Sequence, residues 1–240
     1  MIQIRIHGRG GQGVVTAAEL LSAAAFSEGR HAQAFPSFGS ERTGAPVVSF
    51  CRIDDDPIRV REPVMHPDVL VIQDPTLLHQ VDVFEGVGDN ALLVINSARP
   101  AADLGITEFT SRLSPGAVLT VPATELAQQH VGRPTPNAAL LGGFAAVSGA
   151  VSIESVAEAI SDRFAGVVGM ANVAAARAAY DAAMTQLGRP PSDTNGRAAP
   201  QSVSPAASQP GASRKSTAAF GAGRTGQIEG SRGVAEAAAL

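Results

Sequence analysis

Gly8-Arg9-Gly10-Gly11-Gln12-Gly13 fits the spacing G-x-G-x-x-G directly after an apolar alternation, Ile2-Gln3-Ile4-Arg5-Ile6. The chemistry open to such a loop is anion binding. Glycines permit φ > 0, and they let backbone amides approach a phosphate at the start of the following helix. Gly8, Gly10, Gly11 and Gly13 are therefore candidate backbone contacts to an anion or to a partner chain, with Gln12 between them. Arg9 sits inside the loop and could pair with a phosphate or a partner carboxylate; an ordinary exposed arginine stays open beside it. The loop could also be a tight strand-to-helix turn that holds nothing.

A dinucleotide site needs more than the loop. An acidic residue near the end of the next strand grips the ribose. Here that strand reads His31-Ala32-Gln33-Ala34-Phe35, with Glu28 and Arg30 before it and no acid at its end. A resident NAD is therefore not expected. The remaining reactive side chains are scattered. His7 borders the loop and reads as a hydrogen-bonded structural residue. His31, His66, His79 and His130 have no metal-ligand spacing. The one cysteine, Cys51, lies in an alternating strand and reads as a small core residue. One thiol cannot hold an iron–sulfur cluster or a structural zinc. Asp54-Asp55-Asp56 reads as a solvated hairpin turn.

These residues need elements to place them. Alternation and apolar runs predict strands at residues 2–6, 31–35, 46–53, 69–72, 91–95 and 117–121. Helical spacing predicts a helix over 14–28, short pieces at 76–81, 100–113 and 124–129, and longer helices at 137–147, 152–164 and 170–184. Asn137 and Ser152 suit helix starts. Alternating strands and helices argue for an α/β fold, a doubly wound, mostly parallel sheet. The stretch 36–53 is too strand-rich for a simple repeat, so it reads as a hairpin-like insertion carrying an antiparallel edge strand. Residues 1–187 form the expected α/β domain. An extended Pro/Ala/Ser/Gly-rich arm, 188–227, follows as a linker, and helical character returns at 228–240.

The loop continues into Val14 and Ala17-Ala18 in a way that resembles the gamma subunit of the 2-oxoacid:acceptor oxidoreductases, the pyruvate:ferredoxin oxidoreductase family. Three more blocks agree in order. They are Phe35-Pro36-Ser37-Phe38-Gly39-Ser40-Glu41-Arg42-Thr43-Gly44-Ala45-Pro46, then Pro67-Asp68-Val69-Leu70-Val71-Ile72-Gln73-Asp74, then Pro136-Asn137-Ala138-Ala139-Leu140-Leu141-Gly142. The resemblance implies a doubly wound α/β subunit that is not catalytic alone. It would work with alpha, beta and delta subunits that convert a 2-oxoacid and coenzyme A to an acyl-CoA and carbon dioxide. It implies thiamine diphosphate, Mg and iron–sulfur clusters on those partners, and none bound by this chain alone. The gamma part is associated with the coenzyme A side, so Ser37, Arg42 and Asn137 join the Gly8–Gly13 loop as candidate contacts. Arg42 with Glu41 could instead form an internal ion pair.

Residues 228–237 resemble the start of the family's alpha subunit, as the trace of a split fusion or as a docking arm; a featureless, disordered Ala-rich end stays open beside both. The unusual ending leaves room for an aromatic member, such as one acting on phenylglyoxylate, or for an NAD-linked member with FAD in a flavin-containing NAD-reducing subunit. Two other classes stay open: a nucleotide-binding enzyme acting alone, and a purely structural assembly module. The 18 basic and 22 acidic residues are interspersed, which argues against a nucleic-acid or membrane-surface partner. With a single thiol and no membrane-length apolar run, a reducing cytoplasm is the expected compartment.

Overall fold

The computed structural model describes residues 1–37 and 43–190. Six strands form one sheet: β1 (Ile2–Arg9), β2 (His31–Pro36), β3 (Pro46–Asp54), β4 (Val69–Ile72), β5 (Leu92–Asn96) and β6 (Val118–Val121). Their order is β2-β3-β1-β4-β5-β6. β1, β4, β5 and β6 run parallel, and β3 runs antiparallel to both β1 and β2. The helices are α1 (Val14–Ser27), α2 (Thr107–Thr110), α3 (Ala123–Val131), α4 (Asn137–Ser148), α5 (Ile153–Arg163) and α6 (Gly166–Gln186). The expected fold class holds, since this is a mixed sheet flanked by helices.

The insertion differs from expectation in one respect. β3 is not an edge strand. It pairs with β1 along eight residues, from Ile2↔Ile53 to Arg9↔Pro46, and with β2 on its other side. Its side chains explain the interior place: Val47, Phe50, Cys51, Arg52 and Ile53 are all buried. The edge falls to β2, whose residues are exposed or half-buried. A nine-residue strand with apolar groups on both faces gains more from two neighbours than the short, partly polar β2 does.

Pleating divides β1 cleanly. Ile4 and Ile6 point into the larger core, with α1 and the three Ala-rich helices α4, α5 and α6. Arg5 and His7 point to the opposite face. There Arg5 donates to the carbonyls of Val64, Met65, Val83 and Glu85 and pins two coil segments to the sheet. On that face Leu70, Ile72, Leu93 and Ile95 meet Leu77, Val83, Leu104 and Leu113 in a second core.

α4 is wedged between the sheet and α6, and its glycines make that possible. A methyl group on Gly143 would lie 2.6 Å from Val121 Cγ2, and one on Gly142 would run into the carbonyl of Ala176 on α6. This close packing brings the first residue of α4, Asn137, to the end of the sheet where α1 begins. The run Asp54-Asp55-Asp56 ends β3 rather than turning a hairpin. Asp54 lies 3.3 Å from the N-terminal ammonium, and Asp55 pairs with Arg30 at 2.9 Å. Of the expected arm, all but residues 188–190 lies outside the described residues, as does the 228–240 tail.

Candidate functional site

Ligands in open α/β sheets bind beyond the carboxyl ends of the strands, where the strand order reverses. Here that point lies between β1 and β4, because the chain leaves β1 toward β2 and leaves β4 toward β5 and β6. The Gly8–Gly13 loop opens at this point. Gly11 has φ 95° and Gly13 φ 72°, conformations that favour glycine. Gly13 is the N-cap of α1 and supplies no side-chain cap, and the first turn carries no acidic residue. The N–H groups at the start of α1 thus face the loop with the positive end of the helix dipole behind them. A side chain at Gly8 would strike Val14 Cγ2 at 2.6 Å and crowd the side-chain oxygens of Gln12 and Gln73 at 3.1 Å.

Asn137 closes one side. It is the first residue of α4 rather than its cap, a place taken by Pro136. Its Oδ1 accepts from the N–H of Ala138 at 2.8 Å, and its amide packs so tightly on Gly13 that a methyl group there would collide with it. Two helix N-termini therefore meet at the loop. Beneath it, Gln73 is 1% exposed, and neither its amide nitrogen nor its oxygen has a hydrogen-bond partner among the described residues.

Arg9 is not a free cation. Its Nε lies 3.0 Å from Asp74 Oδ2, its Nη1 donates to the carbonyl of Gly44 at 3.0 Å, and its Nη2 donates to Thr76 Oγ1 at 2.8 Å and Gln80 Oε1 at 2.6 Å. Gln12 accepts from the Arg9 N–H at 2.8 Å and donates to Asp74 Oδ2 at 2.9 Å. Burial alone would raise the Asp74 carboxyl. The hydrogen bonds from Thr76 and Gln12 and the charge of Arg9 outweigh it and hold Asp74 below the usual carboxylate range.

The second block of the sequence joins the first through main chain. Gly10 donates to the carbonyl of Ala45 at 2.9 Å, and Gly44 donates to that of Gly10 at 3.1 Å. Ser37 is exposed at the same end of the sheet; its N–H donates to the carbonyl of Val48 on β3 at 2.8 Å. Arg42 and Glu41 lie outside the described residues. The structure thus brings Asn137 against the Gly8–Gly13 loop and leaves Ser37 two strands away. Sequence reading missed Asp74, Gln73 and Thr76 as parts of this site. A signal was present: Asp74-Pro75-Thr76 directly after a buried strand is a helix-start pattern, and Asp74 does cap the short 3-10 turn Pro75–His79.

His7 departs from expectation. Its Nε2 is buried with no hydrogen-bond partner among the described residues. Burial, and then the charge of Arg5, push its pKa down to about 4. Cys51 is the core residue expected; burial raises its thiol to about 12, which makes it a poor metal ligand. Among the described residues no group of three or more His, Cys, Asp and Glu could hold a metal ion, so an iron–sulfur cluster does not fit them. No helix among them is long and apolar enough to cross a membrane.

A mixed sheet flanked by helices, with a glycine loop opening a helix at its switch point, defines a doubly wound α/β domain. Comparison with known proteins narrows this. Residues 3–182 match the family model described as pyruvate ferredoxin/flavodoxin oxidoreductase, and the chain belongs to that family, as a gamma-type subunit. It is 46% identical over 181 residues to the pyruvate/ketoisovalerate oxidoreductases common subunit gamma of Thermococcus kodakarensis, covering 75% of this chain and 96% of that one. It is 47% identical to pyruvate synthase subunit PorC of Methanothermobacter marburgensis, covering 75% and 97%. The crystal structure of pyruvate oxidoreductase subunit PORC from Thermotoga maritima superposes with a TM-score of 0.65 at 35% identity, covering 75% of this chain and 95% of that one.

Proposed function

We propose that this chain is the gamma subunit of a coenzyme A-acylating 2-oxoacid oxidoreductase and that its glycine loop holds a phosphate of coenzyme A. The observation that carries this is the start of α1. A left-handed Gly13 opens the helix with no side-chain cap and no acid in its first turn, and Asn137 at the start of α4 faces the same point. An anion placed there meets N–H groups that no other group of the loop satisfies.

The iron–sulfur clusters belong on partner subunits, because one buried thiol with a raised pKa offers no cluster ligand set; thiamine diphosphate is assigned to the partners by the family resemblance. Relatives named for pyruvate and for ketoisovalerate favour aliphatic 2-oxoacids over an aromatic substrate. A subunit common to two oxidoreductases, as in the named relative, also suits a 2-oxoacid pocket on partner chains. The competing reading, an assembly module without a ligand, predicts a silent loop.

Gly11→Ala separates them. Gly11 has φ 95° and open space around its Cα, so an added methyl group strains the loop without a clash. In the assembled oxidoreductase the KM for coenzyme A is expected to rise about tenfold, because the amides lose their alignment. An unchanged KM would favour the module.

A further inference from the structure

We infer that Asp74 is a positioning residue for the glycine loop: through Arg9 and Gln12, its carboxylate sets the shape in which the loop presents its amides. This rests on the anion-binding role proposed above for that loop. Asp74 is only 9% exposed and stands at the carboxyl end of β4, across the switch point from β1. Both of its oxygens are filled by donors of this chain. Oδ2 accepts from Arg9 Nε at 3.0 Å and Gln12 Nε2 at 2.9 Å. Oδ1 accepts from the Thr76 N–H at 3.0 Å and the Thr76 hydroxyl at 2.6 Å.

The bonds close into a ring. Gln12 Oε1 accepts from the Arg9 N–H, Gln12 Nε2 reaches Asp74, and Asp74 returns to the Arg9 side chain. Residues 9 to 12 are thereby fixed at both ends by one carboxylate. The same guanidinium holds Gly44, so the loop after β2 is tied to the same point. Two consequences follow. Arg9 is neutralised by Asp74 and acts as a strut, not as a phosphate clamp. The amides of Gly11, Gly13 and the first turn of α1 are the groups left to meet an anion, and their alignment depends on a residue that does not touch it.

The test uses the oxidoreductase assembled from the full chain and the subunits that co-purify with it, with coenzyme A as the probe. For Asp74→Asn the KM for coenzyme A is expected to rise about tenfold while the KM for the 2-oxoacid moves less than about twofold. Gln12→Met, which keeps the shape and removes the amide, shifts the same constant in the same direction by a smaller factor. A residue that only stabilises the fold would lower the amount of active complex, and hence kcat, without moving that KM. The inference is overturned if both variants leave the KM for coenzyme A unchanged, or if Asp74→Asn lowers it by freeing Arg9. If Asp74→Asn does not assemble, Gln12→Met alone decides. Gly11→Ala is the companion: a raised KM there with neither clasp variant responding removes Asp74's role and keeps the site. No response in any of the three removes the site, and the clasp with it.

Discussion

His7 gives this domain a calculable acid weakness. Its side chain leaves β1 on the face away from α1, between Arg5 and Arg9 and flanked by Val48 and Ile72 on the neighbouring strands. It is 7% exposed, and its pKa falls from 6.5 to about 4 through burial and the charge of Arg5. The unfolded chain protonates this imidazole near 6.5, while the folded chain resists until about 4. The stability held by neutral His7 is therefore fully present above 6.5 and is lost as the pH falls toward 4. A shift of 2.5 units corresponds to about 3 kcal/mol. His7→Leu removes the titration at similar volume. It also removes the orphaned Nε2, so at pH 8 the variant should be as stable as the parent or more so, by about 1–3 kcal/mol. Urea unfolding of parent and variant at pH 8, 6.5, 5 and 4 gives the difference curve. That curve should move about 3 kcal/mol in favour of the variant between pH 6.5 and 4. Parallel curves would show that His7 ionises as freely in the fold as in the unfolded chain, and the burial account would be wrong.

Two predictions concern how the helices are seated. Gly142→Ala should destabilise the chain despite better helix propensity. The methyl group meets the Ala176 carbonyl, and displacing α6 costs more than the ~1 kcal/mol gained. A net loss of about 2 kcal/mol, read as a fall in Tm of roughly 4–8 °C, is expected; a rise in Tm would mean that α6 moves freely. Ser152→Ala removes the cap of α5, where Ser152 Oγ accepts from the Ser155 N–H at 3.1 Å. The expected loss is about 1 kcal/mol in urea unfolding, and no loss would mean that Glu28, which already receives the Ser152 N–H and the Ser155 hydroxyl, caps the helix by itself.

Much of the fold was legible because its signals are local. The run Val69–Ile72 and residues 92–95 are apolar without alternation, as strands buried on both faces must be, and both lie in the parallel half of the sheet. Ser152 as a helix start follows from one side chain and one spacing. The position of β3 was not legible. Alternation reports that a strand is half-buried or buried, and it does not report which neighbours it has. Only the tertiary pairing of Ile2 with Ile53 shows that β3 takes the place beside β1. The site divides the same way. The glycines stood out because residue type and spacing mark a strand-to-helix loop, whereas Asn137, read from its type as a helix cap, is the first residue of α4 and entered the candidate contacts through the family resemblance. Asp74 lies 65 positions from Arg9, and no local pattern couples the two.

The placement of β3 bears on what the loop can hold. In a dinucleotide fold the strand after α1 lies beside β1, and an acid at its end reaches the ribose. Here β3 stands between, so β2 is two strand spacings, about 10 Å, from β1. An acid at the end of β2 would sit too far away even if the sequence supplied one. The gap on the other side, between β1 and β4, is filled by Arg9, Asp74 and Gln12. Both flanks that would cradle a nucleoside are thus occupied by the chain's own sheet and side chains. What stays open is outward: Gly11 is exposed, and Gly13 and Val15 are half-buried. The phosphate site proposed above lies there, and under that proposal the rest of a ligand would lie over the surface, where a neighbouring subunit would cover it. A glycine loop closed on both sides and open above is therefore better suited to half of a shared site than to a whole one.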